Sequence, residues 1–213
     1  MLSPAMRRRQ SVLAADDSEQ TTERSDEYAL MRMQLQQDRR MLHDIQSNEL
    51  KAQAKKRILP SYDAWVSGAL NGNTGREDDV LMWVMIWRID AGDLPGALEI
   101  ARYALIHNLT PPDNFGRTTA TLIAEETAVQ ALNQMETGKQ VDSRLLQAVR
   151  DMTDPLDMPD PVRARLYKAS GYALREEGRQ QDALSALRRA LELYDKIGVK
   201  KDIAQLEKQA DTE

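Results

Sequence analysis

DDVLMWVMIWRIDAGDLPGALEIARYAL, residues 78–105, decides the fold. Its first half is apolar almost without interruption, which fits a buried helix as well as a buried strand. The flanking residues choose between them. Asp78 and Asp79 stand where a carboxylate meets the free N–H groups and positive dipole end of a helix. Gly92-Asp93 breaks the run, and Pro95 then sits where a first-turn proline is tolerated before GALEIARYALIHNL. The stretch reads as two antiparallel helices around a tight glycine turn.

The spacing of small residues in this hairpin recurs. Gly92, Ala97, Ala101 and Ala104 are matched 86 residues later by Gly178, Ala183, Leu187 and Ala190. Small residues at these offsets let two helices approach closely, and the pattern resembles the tetratricopeptide hairpin, with Gly171 falling on the glycine of its first helix. The intervening hairpin around Gly138 matches poorly, with Ser143 and Gln147 at the corresponding offsets. Any αα-hairpin also uses Gly and Ala in this way, and that reading stays open. Further helices are expected at Thr118–Thr137, Ser143–Met152, Pro161–Glu177, Gln180–Ile197 and Lys201–Ala210.

Composition agrees with an all-α protein. Of 213 residues, 41% are apolar and 30% charged, and there is one Phe, so strands are poorly supplied. The absence of cysteine removes disulfides and thiolate metal ligands. No apolar run is long enough to span a bilayer, so no membrane partner is expected.

Upstream of the body the chemistry changes. Residues 1–27 are polar and aperiodic and read as a disordered leader; its Arg7-Arg8-Arg9 cluster is either a DNA contact or a solvated basic tip. From Tyr28 to Leu59 there is neither Gly nor Pro, and Met31, Leu35, Leu42, Ile45 and Ala52 keep three- and four-residue steps, as one amphipathic helix or a helical hairpin requires. Pro60 is the expected stop. Residues 28–66 form a basic arm, Ser67–Arg76 reads as a turn-rich linker, and residues 77–210 form the helical-hairpin body. Tyr28–Pro60 carries seven basic and three acidic residues, a net +4, while from Ser61 onward 18 basic and 25 acidic residues give −7. Such an arm attracts phosphate while the acidic body does not.

On one continuous helix, Arg40, Asp44, Asn48, Lys51 and Lys55 form a polar stripe, widened by Arg39, Lys56 and Arg57. The cations suit phosphates, and Asn48 suits a base edge. The expected DNA-binding set is Arg39, Arg40, Asn48, Lys51, Lys55, Lys56 and Arg57. Aromatic interleaving is missing, which favours duplex over single-stranded DNA.

Catalytic patterns are poor. Gly138-Lys139 is followed by Gln140, so no phosphate-cradling loop forms. His43 and His107 lack partner motifs. Glu77-Asp78-Asp79 and Glu125-Glu126 are the candidate Mg²⁺ ligands, yet helix neighbours diverge by about 100°, so each group needs a third carboxylate from elsewhere. Capping explains the first group and a solvated face the second. No catalytic residue, metal ligand or cofactor is assigned.

DRRMLHDIQSNELKAQAKKRILPSYDAWV (38–66), the hairpin at 78–105, DMPDPVRARLYK (157–168) and GVKK (198–201) together resemble the small terminase subunit family of temperate, contractile-tailed, cohesive-end phages. The resemblance implies recognition of the cohesive-end packaging site on duplex viral DNA. It also implies assembly with a large subunit, which carries the Mg²⁺- and ATP-dependent centres. A homo-oligomer, often a ring in that family, is expected, as is a location in the bacterial host cytoplasm and transiently at the procapsid portal. The face bearing Trp83, Met85 and Trp87 is either a subunit contact or core, with core favoured. The family is also described as the terminase endonuclease subunit. The alternatives are therefore a chain that itself cuts DNA and a tetratricopeptide-like adaptor that binds only protein.

Overall fold

A computed structural model describes residues 25–112 and 116–210; the leader through residue 24 lies outside the described residues. All regular structure there is helical. The chain divides between Lys51 and Ala52 into two compact units.

The first unit contains α1, residues 25–44, which takes in the last residues expected of the leader. The helix is interrupted at residues 45–47, and α2, Asn48–Ile58, starts anew. Ser47 explains the restart, because its Oγ accepts from the Leu50 N–H at 3.3 Å, satisfying one of the orphan donors of a new helix. Of the expected seam, Leu35 and Leu42 are buried and Met31 and Ile45 half-buried.

In the second unit α2 runs into a short 3₁₀ helix, Leu59–Tyr62, with Pro60 in its first turn. Then comes α3, Asp63–Gly72. The stretch expected as a linker from Ser67 is therefore helical through Gly72, and Asn73 closes it in the left-handed region at φ 45°. Tertiary contacts override the weak propensity of Gly68, Asn71 and Gly72. The Trp65 indole N–H donates to Asp78 Oδ2 at 2.9 Å, and Arg88 Nη2 donates to Asp63 Oδ1 at 2.7 Å.

The body follows as α4 (Asp79–Ala91), α5 (Leu94–Ile106), α6 (Thr119–Glu136), α7 (Ser143–Thr153), α8 (Asp160–Glu176), α9 (Gln180–Leu193) and α10 (Lys200–Ala210). Asp78 is the N-cap of α4, its Oδ1 accepting from the Leu81 N–H at 2.9 Å. Burial pushes the Asp78 carboxyl above its ordinary range, while the Leu81 and Trp65 hydrogen bonds pull it back. Helix α4 buries residues around its whole circumference, from Val80 and Leu81 to Trp87 and Ile89, so other elements must cover every side of it. Met85 and Trp87 belong to this core; Tyr62 of the 3₁₀ helix meets Trp87 edge-on, ring centres 5.8 Å apart. α5, α6 and the 3₁₀ helix supply most of the cover.

The hairpins α4–α5, α6–α7 and α8–α9 leave their first helices through the same turn. Gly92, Gly138 and Gly178 have φ of 83°, 76° and 78°. The residues after them, Asp93, Lys139 and Arg179, donate to the carbonyls of Arg88, Gln134 and Leu174, which is how a left-handed C-terminal cap satisfies stranded helix oxygens. Asp93 and Arg179 share φ −86°, ψ 67°, so the turns on either side of the 86-residue repeat have the same backbone. α7 begins later after its glycine, at Ser143 with Asp142 as its N-cap, and the middle hairpin lacks the repeated alanines. α4, α6 and α8 pack in succession, and α10 packs on α9. α9 ends at Leu193 rather than near Ile197, because Tyr194 is extended at φ −150°, ψ 105°.

The repeated small residues matter for packing. Ala97, Ala101, Ala104, Ala183, Leu187 and Ala190 are buried, and a Cβ on Gly171 would lie 2.6 Å from Leu187 Cδ2 and 3.3 Å from the Ala183 carbonyl oxygen. Gly171→Ala should therefore destabilise the chain by about 1–2 kcal/mol in chemical denaturation, overpacking outweighing the gain in helix propensity. An unchanged or raised midpoint would show that α8 and α9 do not meet this closely.

Candidate nucleic-acid interface

At ~100° per residue, α1 presents three faces whose centres are roughly 120° apart, with Met33 and Arg40 meeting at a shared edge. One holds the buried Leu35 and Leu42. A second carries Leu30, Met33 and Met41, which are 65%, 67% and 38% exposed. The third carries Arg32, Gln36, Arg39, Arg40 and His43, all exposed. Gln36, Arg39, Arg40, His43 and Asp44 line one shallow depression of that face. Arg32 belongs to this row by its spacing, and its guanidinium lies 5.8 Å from the centre of the Tyr28 ring. Sequence alone counts Arg32 in the charge of the arm and leaves it out of the site, although its seven-residue step to Arg39 places both on one helix face.

The interruption at residues 45–47 means that Arg40 and Asp44 do not share a continuous helix with Asn48, Lys51 and Lys55. On α2 the expected residues separate further. Asn48, in the first turn, is exposed, and so are Lys56 and Arg57 in the last turn, where cations also complement the negative dipole end. Lys51 is half-buried. Lys55 forms an ion pair with Asp90 at the end of α4, its side chain only 12% exposed. A phosphate can engage Lys55 only by taking it from Asp90. Nothing local announces this pair, since its partners are 35 residues apart.

The candidate metal ligands have other occupations. Asp78 is the buried cap described above, and Glu77 Oε2 accepts from both the N–H and the hydroxyl of Thr110 at 3.1 Å. Glu125 and Glu126 share Arg117, at 2.7 and 3.4 Å, and Arg165 stands 3.8 Å from Glu125. Among the described residues, no three His, Asp or Glu side chains converge as a metal site would require. His107 Nε2 lies 2.7 Å from Asn73 Oδ1 and its ring packs on Tyr103, so it serves the α3–α5 contact. Among the described residues, no helix is long and apolar enough to cross a membrane.

Burial is the main cause that holds the Glu126 carboxyl above its ordinary range; the nearby charge of Asp90 adds to it and Arg117 opposes it. A carboxyl with a raised folded-state pKa favours the folded state most below its unfolded pKa, and that contribution is lost as pH rises through the folded value. Glu126→Gln should therefore gain stability relative to the parent between about pH 4 and pH 7. Denaturation midpoints at the two ends would check this, and a relative loss with rising pH would contradict it.

The profile of the phage small terminase subunit family matches residues 32–161. The terminase, endonuclease subunit of Escherichia phage P2 is 43% identical over 212 residues, covering 98% of this chain and 86% of that protein. The probable terminase, endonuclease subunit of Haemophilus phage HP1 is 23% identical over 188 residues, covering 82% of this chain and 67% of that protein. No solved structure matches the chain. The matched region contains α2, whose cations are those named above, and the buried α4 hairpin. By the profile and the similarity to the P2 protein, the chain belongs to the phage small terminase subunit family.

Proposed function

We propose that this chain recognises the packaging site on duplex viral DNA through α1 and α2, assembles with the large terminase subunit and directs cleavage and packaging by that partner. The observation that carries this reading is the separation of charge: a net +4 across Tyr28–Pro60 against −7 from Ser61 onward. Arg39, Arg40, Lys56 and Arg57 supply the phosphate contacts, with Arg32 extending the row. Lys51 and Asn48 contribute from the start of α2. Lys55 joins only by exchanging Asp90 for phosphate. Mg²⁺ and ATP act at the large subunit, and the work takes place in the host cytoplasm and at the procapsid portal.

The exposed Leu30, Met33 and Met41 give α1 a further role as a contact between copies of this chain. Leu30 and Met41 lie on the side of α1 away from Arg32, Arg39 and His43, with Met33 at the edge shared with Arg40, so a neighbour can cover Leu30 and Met41 without blocking those three residues. The closed homo-oligomer or ring expected of the family would place several cationic rows on one DNA.

A second reading has the names of the P2 and HP1 relatives in its favour, a terminase endonuclease subunit and a probable one. In that reading the chain cuts DNA itself with Mg²⁺ held by acids such as Asp79 and Glu125. Magnesium-dependent nicking of cohesive-end DNA by the purified chain, abolished by Asp79→Ala or Glu125→Ala, would establish it over the first. A tetratricopeptide-like adaptor that binds only protein would retain no duplex at moderate salt.

Replacing Arg39, Arg40, Lys56 and Arg57 together by Gln should weaken duplex binding by at least about tenfold. It should also flatten the salt dependence by ~0.9 in log–log slope for each phosphate that is no longer neutralised. Fluorescence anisotropy across a salt series reads both, and unchanged affinity and slope would exclude the arm. Independently, Leu30→Asp with Met33→Asp should lower the mass in sedimentation while the helical signal persists. A parent that sediments as a monomer, or variants that keep the parent's mass, would exclude that face as the contact.

A further inference from the structure

The second unit contains a cleft the arm does not use. α5 packs on α7, but the backbones of α7 and α9 do not pack on each other, and Arg179 at the N-cap of α9 reaches the Ser143 hydroxyl at 3.4 Å. The space between them, floored by α8, is a cleft of about 400 Å³ lined by Arg144 and Arg150 of α7, Tyr167 of α8, and Arg179 and Ser185 beside or on α9. Ala148, Leu174 and Ala186 supply apolar patches in the same wall.

The cleft is held open by fixed contacts. At one end Glu177, just past α8, accepts from the backbone N–H and hydroxyl of Ser143 at 2.8 and 2.7 Å, pinning the start of α7. At the other end Asp154, just past α7, accepts from Tyr167 Oη at 2.8 Å and Arg163 Nη1 at 3.0 Å. Tyr167 is thereby oriented, and the Arg150 guanidinium stacks 4.0 Å from its ring centre. Arg150 differs from its neighbours. Arg144 is paired with Asp142 and Arg179 with Asp182, whereas Arg150 has no ion pair among the described residues, and its Nε is buried without an acceptor. A positioned, half-buried guanidinium that lines a cleft without an ion pair is a place for a carboxylate.

We propose that this cleft is a docking site for an extended segment of a protein partner that sets a single Glu or Asp carboxylate on Arg150 and small apolar side chains against Ala148 and Ala186. Charge complementarity favours a peptide over DNA. Asp151 and Asp182 line the same cleft and the surrounding body is net negative, which repels a continuous run of phosphates but accommodates an isolated carboxylate. A space of this size between two helices admits a peptide side chain and backbone, not a duplex. The outer cation Arg144 is held by an exposed local pair with Asp142, which costs little to exchange, while Arg179 pairs with Asp182 and also reaches the Ser143 hydroxyl at 3.4 Å. This site goes beyond the proposed DNA recognition and does not depend on it.

The test uses the full chain and a short fluorescein-labelled alanine peptide carrying one Glu (the Glu-Ala peptide), with the same peptide carrying one Gln (the Gln-Ala peptide) as control. The Glu-Ala peptide should bind saturably and the Gln-Ala peptide should not. Arg150→Gln should weaken binding about tenfold, the effect of losing a hydrogen-bonded charge partner. Arg179→Gln, which leaves Tyr167 and its stacking untouched, should weaken it less. Arg188→Gln, whose pair with Glu207 lies outside the cleft, should leave it unchanged. A thermal melt of each variant separates impaired binding from impaired folding. The proposal is overturned by equal binding of both peptides, by absence of Glu-Ala binding, or by full binding in the folded Arg150→Gln variant. It is equally overturned if Arg150→Gln reduces duplex affinity as much as neutralising the arm does, which would make the cleft a nucleic-acid surface.

Discussion

Helix α4 buries side chains on every side, and the rest of the second unit is arranged to cover it. A helix of this kind cannot lie on a surface, so the chain must bring elements to it from several directions. The 3₁₀ helix sets Tyr62 against Trp87, α3 ties Trp65 to the Asp78 cap, α5 closes the hairpin through Gly92, and α6 packs alongside. Arg88 anchors the far end by reaching Asp63 and Asp93. Its guanidinium occupies the place a side chain at position 96 would take, which is why Gly96 follows Pro95.

The same packing reaches α2 through the ion pair of Lys55 with Asp90. Asp90 stands near the end of α4, close enough to Glu126 to raise that carboxyl, and Lys55 of α2 neutralises it. The cation that sequence spacing assigns to DNA therefore also balances an acidic corner of the body. Phosphate binding at Lys55 would leave Asp90 and Glu126 without that cation, and the proposed DNA contact would then be linked to the stability of this corner through a single amine.

Legibility in the sequence follows the range of the interactions involved. The buried hairpin, the Asp78 cap and the glycine turns at Gly92, Gly138 and Gly178 are signalled within a few residues, and the structure has them. α3 reads as a linker because Gly68, Asn71 and Gly72 have low helix propensity, while the contacts that hold it, Trp65 to Asp78 and Asp63 to Arg88, are distant in sequence. The restart at Ser47 is legible as an N-cap but hidden by an apolar rhythm that continues across it. At the candidate interface the arm can be recognised from its charge. The pairing of Lys55 with Asp90, and the division of α1 into buried, apolar and cationic faces, need coordinates.

Lysine reactivity mapped by mass spectrometry, with and without a duplex carrying the cohesive-end site, tests the assignment of DNA contact to the arm most directly. Lys51 and Lys56 should become protected on binding, while Lys139, Lys196 and Lys200, all exposed on the body, should keep their reactivity. Protection of the body lysines with Lys51 and Lys56 unchanged would contradict it.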